Sequence, residues 1–213
     1  MSRFLFMPAP IAVIDFETTG STPAQGARAT EVAIVLVEGG QVVDQFQSLM
    51  NAGVRIPPFI TQLTGITNAM VADAPPAAEV MAQARQFVGD VPLVAHNAPF
   101  DRGFWQAELA RAGCDAPQPF ACTVRLSRRL YPEAPNHQLG TLARFHQLPS
   151  AGRAHRALAD AQVTAALLLR MQQDLVERWG VTAPDFGFLL ALQACPKARL
   201  ARFLQSNTLD MAG

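Results

Sequence analysis

The most constraining stretch of this sequence runs from residue 11 to residue 20, where an apolar segment leads directly into two carboxylates one residue apart. The segment is short and rich in β-branched residues, which predicts a buried strand. Because side chains alternate along a strand, Asp15 and Glu17 should lie close together on one face. Two such carboxylates repel each other and are costly to bury, so a divalent cation would stabilise them. The alternative is a strand end in solvent, where an acidic pair costs little.

Composition narrows the class of protein. The chain has 213 residues, 50% of them hydrophobic and 16% charged, which suits one sizeable α/β domain. The formal net charge of zero excludes a strongly basic nucleic-acid coat, although nucleic acid could still bind locally through a metal-filled cleft. The three cysteines lack metal-ligand spacing, which indicates reduced thiols and a cytoplasmic protein. No stretch is long and apolar enough to cross a membrane.

The strand patterns predict a mixed sheet. Candidates at 29–37 and 41–49 flank Gly39-Gly40, a strong hairpin signal, so the first three strands should form an antiparallel meander. A fourth, buried strand is predicted at 91–95 and a short fifth strand at 120–122. Residues 1–13 are interpreted as the lead into the first strand rather than as a signal peptide.

Helical patterns fill the intervals between and after these strands. A short helix opens at Pro57-Pro58 and ends at Gly65. Further helices are predicted at 76–87, 100–112, 123–130, 138–147 and 158–179. After Gly180 the pattern changes to two short helices without a candidate catalytic group. We therefore expect a main domain over 1–180 and a C-terminal helical appendage over 181–213 that packs on the core or on a partner.

Two further acidic residues occupy positions where a catalytic site could form. Asp101 lies at the start of a helix directly after the fourth strand, where helix capping explains it as well as catalysis does. His155 and Asp160 are five residues apart, so they would not share a face of a regular helix. They can converge if His155 lies in a loop and Asp160 lies one turn into the helix. A solvated helix face is the alternative for Asp160.

These residues together have the composition of a two-metal site. Carboxylates are the ligands of hard divalent ions, and two such ions can clamp the attacking and leaving oxygens of a phosphodiester. A nearby histidine could deprotonate the attacking water near neutral pH. The predicted set is Asp15, Glu17, Asp101, Asp160 and His155.

The order of these motifs resembles the DnaQ-like 3′–5′ exonuclease family, in its acidic subclass with a histidine in the last motif (DEDDh). The matching motifs are Asp15-Phe16-Glu17-Thr18-Thr19-Gly20, His96-Asn97-Ala98-Pro99-Phe100-Asp101 and His155-Arg156-Ala157-Leu158-Ala159-Asp160. The family includes the epsilon proofreading subunit of bacterial DNA polymerase III and the exonuclease domain of the Gram-positive replicative polymerase. The resemblance covers about residues 10 to 175 and therefore makes polymerase III subunits candidate partners.

The resemblance implies a fold, a chemistry and a set of site residues. The fold would be α/β and RNase H-like, a five-stranded sheet of three antiparallel strands continuing into parallel ones, with helices on both faces. Two Mg²⁺ or Mn²⁺ ions would support release of nucleoside 5′-monophosphates from 3′ ends. The four carboxylates would hold the metals, and His155 would be the general base. Thr18, Phe59 and Thr64 would lie beside the terminal nucleotide, although many family members have histidine where Thr64 stands.

Single-stranded DNA is the favoured substrate, in proofreading or in repair. One alternative is an exoribonuclease of the same fold that acts on tRNA tails or short oligoribonucleotides. Another is a non-catalytic module that binds a polymerase or nucleic acid, which the presence of all four carboxylates disfavours.

Overall fold

The computed structural model describes residues 9–149, 152 and 154–208. Its centre is a five-stranded sheet with the strand order β3-β2-β1-β4-β5. The strands are β1 (Ile11–Thr18), β2 (Ala29–Glu38), β3 (Gln41–Leu49), β4 (Leu93–Ala95) and β5 (Phe120–Cys122). The first three strands are antiparallel, whereas β4 lies parallel to β1 and β5 lies parallel to β4. The predicted mixed sheet is therefore confirmed.

The hairpin between β2 and β3 forms where the sequence predicts it. Gly39 and Gly40 both have positive φ angles, 59° and 80°, which suit glycine in a tight two-residue turn. In the neighbouring pair, the register of β1 against β2 shifts between Glu17 and Thr18. This irregularity lies at the end of β1, directly after the two carboxylates.

Helices cover both faces of the sheet. They are α1 (Pro58–Thr64), α2 (Asn68–Ala72), α3 (Ala77–Val88), α4 (Ala98–Arg111), α5 (Thr123–Leu130), α6 (Leu139–Phe145), α7 (Ala157–Trp179), α8 (Phe186–Ala194) and α9 (Leu200–Gln205), with 3-10 helices at Pro23–Gln25 and Lys197–Arg199. The sequence reading missed α2 and the first 3-10 helix. Helix α4 begins two residues earlier than predicted, because Asn97 adopts a left-handed conformation and Pro99 fits the first helical turn.

Two apolar clusters lie on the two faces of the sheet. On one face α7 packs against β1 and β2, with Leu168 and Met171 fully buried. On the other face α3 and α4 supply Met81 and Trp105, which are also fully buried. Burial of these side chains fixes the two helices α4 and α7, whose first turns carry candidate site residues.

The described part of the C-terminal segment packs on this core. Phe188, Leu189 and Leu204 belong to the same apolar cluster as α7. The Gln193 side chain also pairs with the outer edge of β5: it accepts the Cys122 N–H at 2.8 Å and donates to the Phe120 carbonyl at 3.4 Å. Helix α8 therefore covers a strand edge that would otherwise be exposed. The domain division at residue 180 stays a prediction.

Residues 1–8, predicted to lead into β1, and residues 209–213 of the predicted appendage lie outside the described residues. Among the described helices, none has the length and apolarity required to span a membrane.

Candidate active site

The candidate site lies at the end of β1, where the first turns of α4 and α7 approach the sheet. Strand β1 supplies Asp15 and Glu17, α4 supplies Asp101, and α7 supplies Asp160. His155 lies in the bend before α7. Residues from three separate elements are thus gathered at the edge where the parallel strands end, the usual place for a site in an α/β fold.

Three of the four carboxylates form one tight cluster. Oxygen atoms of Asp15, Glu17 and Asp160 all lie within 4.8 Å of one another. Oxygens on opposite sides of one octahedral Mg²⁺ lie about 4.2 Å apart, given metal–oxygen distances of about 2.1 Å. The three carboxylates are therefore close enough together to be candidate ligands of a single ion.

The clustered carboxylates carry buried negative charge that a cation would neutralise. Burial, with the negative charges of Asp160 and Glu31, raises the pKa of Glu17 to about 8, although the Arg156 guanidinium lowers it. Burial likewise raises the pKa of Asp15 well above its usual range, and Asp101, Asp160 and Glu17 add to this effect. Buried carboxylates whose ionisation is opposed by burial and by one another's charge suit a divalent cation.

Asp101 lies on the buried side of this cluster and is only 2% exposed. Its Oδ1 accepts the Phe16 N–H at 3.3 Å, so α4 is tied directly to β1 between the two β1 carboxylates. Burial raises the pKa of Asp101 well above its usual range, while hydrogen bonds from backbone N–H groups act in the opposite direction. Asp101 is close enough to raise the pKa of Asp15, but it is not among the three clustered residues.

His155 and Asp160 converge as the sequence analysis expected. His155 has a φ of 60°, a left-handed conformation that non-glycine residues rarely adopt. Its backbone N–H donates to Asp160 Oδ2 at 3.1 Å. Asp160 lies in the first turn of α7, so the loop and the helix place both residues against the same pocket.

An ion pair that the sequence analysis missed holds this loop. Glu31 is fully buried in β2, and its carboxylate accepts hydrogen bonds from Arg156 Nε at 3.1 Å and Nη2 at 2.8 Å. It also accepts the Ala157 N–H at 3.1 Å and a Gln47 amide at 2.8 Å. Glu31 therefore anchors the two residues that follow His155. A lone acid within the apolar strand pattern of residues 29–37 was the available signal.

A cavity of about 320 Å³ opens over the carboxylates. Phe59 and Leu63 line it from α1 and are 65% and 49% exposed, unusual for large apolar side chains. Thr18 and Thr64 also line it, but their hydroxyls already donate to the carbonyls of Gly20 at 2.7 Å and Ile60 at 3.0 Å. The exposed apolar side chains of α1 are thus available to contact a substrate, whereas the Thr18 and Thr64 hydroxyls already donate hydrogen bonds within the protein.

His96, although part of the second motif, has a structural environment. Burial lowers its pKa to about 4, so the ring is neutral at neutral pH. Its Nε2 lies 3.1 Å from the His137 carbonyl, which can only accept, so Nε2 carries the proton. Nδ1 then accepts from the Thr123 hydroxyl at 2.8 Å. His96 therefore ties the end of β4 to α5 and to the loop before α6.

The fold and the carboxylate cluster together define a nuclease of the RNase H-like fold, with a site compatible with divalent metal ions. A family model described as "Exonuclease" matches residues 12–168, well over half of the chain. The chain therefore belongs to the exonuclease family, and its domain is of the DnaQ-like 3′–5′ exonuclease type that the motifs predict.

Curated relatives share this domain within longer proteins. The chain is 38% identical over 167 residues to a DNA polymerase III PolC-type protein of Bacillus cereus, which is 78% of this chain and 12% of the relative. It is 43% identical over 178 residues to a putative bifunctional exonuclease/endonuclease protein of Mycobacterium tuberculosis, which is 79% of this chain and 26% of the relative. It is also 38% identical over 164 residues to the 3′-5′ exonuclease DinG of Bacillus subtilis, and the match covers 76% of this chain and 18% of the relative. The chain thus spans between 12% and 26% of their lengths.

Solved structures give the same fold. A structure of Exonuclease X in complex with 5′ overhanging duplex DNA is 27% identical, with a TM-score of 0.65 over 91% of this chain and 99% of that one. A moderately thermophilic Exonuclease I from Methylocaldum szegediense is 21% identical, with a TM-score of 0.69 over 86% of this chain and 43% of that one. The second likeness shows the fold alone.

Proposed function

We propose that this protein is a divalent-metal-dependent enzyme that removes nucleoside 5′-monophosphates from 3′ ends of DNA. The observation that carries the proposal is the cluster of Asp15, Glu17 and Asp160, whose oxygens lie within 4.8 Å of one another. The raised pKa of Glu17, about 8, supports a site that is completed by cations. Two Mg²⁺ or Mn²⁺ ions, held by these three residues and Asp101, are the proposed cofactors.

The bound ions would neutralise the carboxylates and stabilise the charge that develops on the scissile phosphate. His155 takes the proton of the attacking water, whose oxygen forms the new bond to phosphorus. The bond from phosphorus to the 3′ oxygen of the preceding nucleotide breaks, and that oxygen takes a proton from solvent, which leaves a new 3′ hydroxyl and a nucleoside 5′-monophosphate. Asp160 accepts the His155 backbone N–H and thereby fixes the base relative to the carboxylates.

The terminal nucleotide is proposed to lie in the cavity between α1 and the end of β1. Phe59 and Leu63 present an exposed apolar surface there, suited to stacking against a base. Stacking of this kind is tolerant of sequence, as an exonuclease that proceeds along a strand requires. Thr18 and Thr64 are proposed to border the same nucleotide.

DNA is the proposed substrate, with single-stranded or frayed 3′ ends preferred. Similar proteins support this substrate, since they include a DNA polymerase III PolC-type protein and Exonuclease X bound to duplex DNA. A role beside DNA polymerase III subunits, in proofreading or repair, is an extension of the same likeness.

The test is digestion of a 5′-labelled single-stranded oligonucleotide with Mg²⁺ or Mn²⁺, with a chelator control. We expect a ladder that shortens one nucleotide at a time from the 3′ end, and no cleavage with chelator or in Asp101→Asn. Internal cuts, shortening from the 5′ end or undiminished cleavage in chelator would contradict the proposal. An RNA oligonucleotide of the same sequence measures the preference between DNA and RNA.

A further inference from the structure

Two segments of this neutral chain carry basic residues without any acidic ones. Residues 123–130 and 186–208 contain six basic residues and no acidic residue. The six are Arg125, Arg128, Arg129, Lys197, Arg199 and Arg202. Because the whole chain has a net charge of zero, the rest of it carries six more acidic than basic residues. The asymmetry is therefore a property of this region and not of the composition as a whole.

The two segments contact each other directly. Arg129 Nε donates to the Cys195 carbonyl at 3.0 Å, which joins α5 to the end of α8. Arg128, Arg129, His137 and Lys197 line a shared concavity of about 470 Å³. We call this concavity, together with Arg125, Arg199 and Arg202 of the same two segments, the basic surface.

The charges of the basic surface are not neutralised within the described part of the chain. Elsewhere arginines such as Arg28 and Arg156 pair with carboxylates at 2.8 Å. Among the described residues, no carboxylate lies within 4.0 Å of a charged nitrogen of Arg128, Arg129 or Lys197. The positive charges of Arg128 and Lys197 also act on the His137 ring: after burial, they are the next causes that lower its pKa. Converging cations without acids suit a polyanion.

This surface is connected to the candidate active site. His137, in its wall, accepts a hydrogen bond from His96 at 3.1 Å through its carbonyl, so it is fixed to the strand edge beside the carboxylates. The next residue, Gln138, begins a groove of about 750 Å³ that runs between α6 and α7 to His155 and Asp160. Arg144 lines the same groove. The groove that reaches the proposed base and the concavity of the basic surface therefore adjoin at the neighbouring residues His137 and Gln138.

We propose that the basic surface binds phosphates of the nucleic-acid strand upstream of the 3′ end that is cleaved. This inference rests on the proposed function, and it assigns a role to the C-terminal segment that carries Lys197, Arg199 and Arg202. Each phosphate contact to a single strand contributes a slope of about 0.7 to the dependence of log affinity on log salt. Loss of two contacts thus weakens binding about 25-fold at 0.1 M salt and lowers the slope by about 1.4.

The first test compares the double variant R128Q/K197Q with the control R111Q/R178Q, which loses the same charge at the far ends of α4 and α7. In the control each buried carboxylate keeps another cation, because Arg28 remains beside Glu108 and Arg170 beside Asp174. Both are assayed on a single-stranded 16-mer and on a chromogenic ester of thymidine 5′-monophosphate, which contains only the terminal nucleotide. We expect R128Q/K197Q to raise KM for the 16-mer about 25-fold at 0.1 M salt, with the ester unaffected. Equal KM values for both double variants and the unaltered protein would overturn the proposal.

The ester separates this proposal from the proposed function. If the unaltered protein cleaves neither substrate, the proposed function fails. If it cleaves both and R128Q/K197Q does the same with unchanged KM and salt slope, only the basic surface fails.

A second test needs no variant, because Lys197 is the single lysine of the chain. An amine-acylating reagent therefore modifies Lys197 and the α-amino group, which serves as an internal reference. We expect a single-stranded 16-mer, with chelator present to prevent cleavage, to slow acylation of Lys197 at least fivefold relative to that reference, whereas thymidine 5′-monophosphate does not. Equal acylation rates with and without the 16-mer would overturn the proposal.

Discussion

Replacement of Glu31 by glutamine tests whether the ion pair with Arg156 positions His155. The carboxylate accepts four hydrogen bonds, three of them from Arg156 and Ala157, the two residues directly after the proposed base. Glutamine has nearly the same shape, but it can accept through only one oxygen and carries no charge. We expect the bend that holds His155 at a φ of 60° to lose its anchor. Glu31 is thus a positioning residue and not a catalytic one.

The size of the effect follows from burial. Removing one partner of a buried ion pair costs about 3–5 kcal/mol. The Arg156 side chain is 33% exposed, so its unpaired charge would keep part of its hydration. Glu31 also lies directly across from Glu17 and raises its pKa, so neutralising Glu31 relieves some repulsion. We therefore expect a loss of about 2 kcal/mol, which lowers the melting temperature of a protein of this size by about 4–8 °C.

The E31Q substitution should also lower the rate of cleavage, independently of its effect on stability. A base misplaced by about 1 Å can cost on the order of 100-fold in turnover, so we expect E31Q to lower kcat about 10–100-fold. The KM for single-stranded DNA should change by less than about twofold, because Phe59 and the basic surface are untouched. The matched control is Glu38→Gln, an exposed residue at the end of the same strand. Thermal unfolding and steady-state cleavage of both variants, with Mg²⁺ present, measure these effects.

The dependence on pH provides a further check. Burial acts to raise the pKa of Glu31, but hydrogen bonds from Arg156, Ala157 and Gln47 outweigh it and hold the pKa below its usual value. A lowered folded-state pKa gives stability that is present above the unfolded value of about 4.5 and is lost as pH falls through the folded value. The stability difference between E31Q and the unaltered protein should therefore shrink as pH falls below about 4.5 and through the lowered folded-state pKa of Glu31. An E31Q variant that matches E38Q in melting temperature and kcat would refute the positioning role.

Other predictions concern the carboxylates and the nucleotide cavity. Because burial raises the folded-state pKa of Glu17 to about 8, the metal-free protein should lose stability as pH rises from about 4.5 to about 8, measured by melting in chelator. Binding of Mn²⁺ at pH 7 should release protons, which calorimetry in two buffers of different ionisation enthalpy detects. Asp15→Asn should abolish cleavage yet raise the metal-free melting temperature by a few degrees, since it removes one repelling charge. Phe59→Ala should raise KM for single-stranded DNA about 5- to 100-fold through lost stacking, while the melting temperature stays nearly unchanged. Unchanged values in any of these assays would count against the corresponding step.

Local patterns were sufficient to predict most of the fold. The apolar run into Asp15 and the Gly39-Gly40 signal fix β1 and the following hairpin, because strand periodicity and turn geometry are local properties. Helix α2 was missed because it spans only five residues, too few for a periodic pattern. The early start of α4 depends on the left-handed Asn97, a conformation that its neighbours do not reveal.

The sequence predicts those parts of the candidate site whose residues lie close together in the chain. Strand periodicity places Asp15 and Glu17 on one face of β1. The five-residue spacing across a helix start brings His155 and Asp160 together. The pair between Glu31 and Arg156 joins residues 125 apart in sequence, so no local pattern could reveal it. The same holds for Gln193, which covers β5 from 71 residues away. The catalytic roles of the site residues remain proposals.

The most direct test of the central claim is mass spectrometry of the products released from single-stranded DNA in water labelled with heavy oxygen. The proposed chemistry predicts nucleoside 5′-monophosphates that carry one heavy oxygen on the phosphate, formed with Mg²⁺ or Mn²⁺ and absent with chelator. Nucleoside 3′-monophosphates, unlabelled products or equal release in chelator would contradict the account of a metal-dependent 3′–5′ exonuclease.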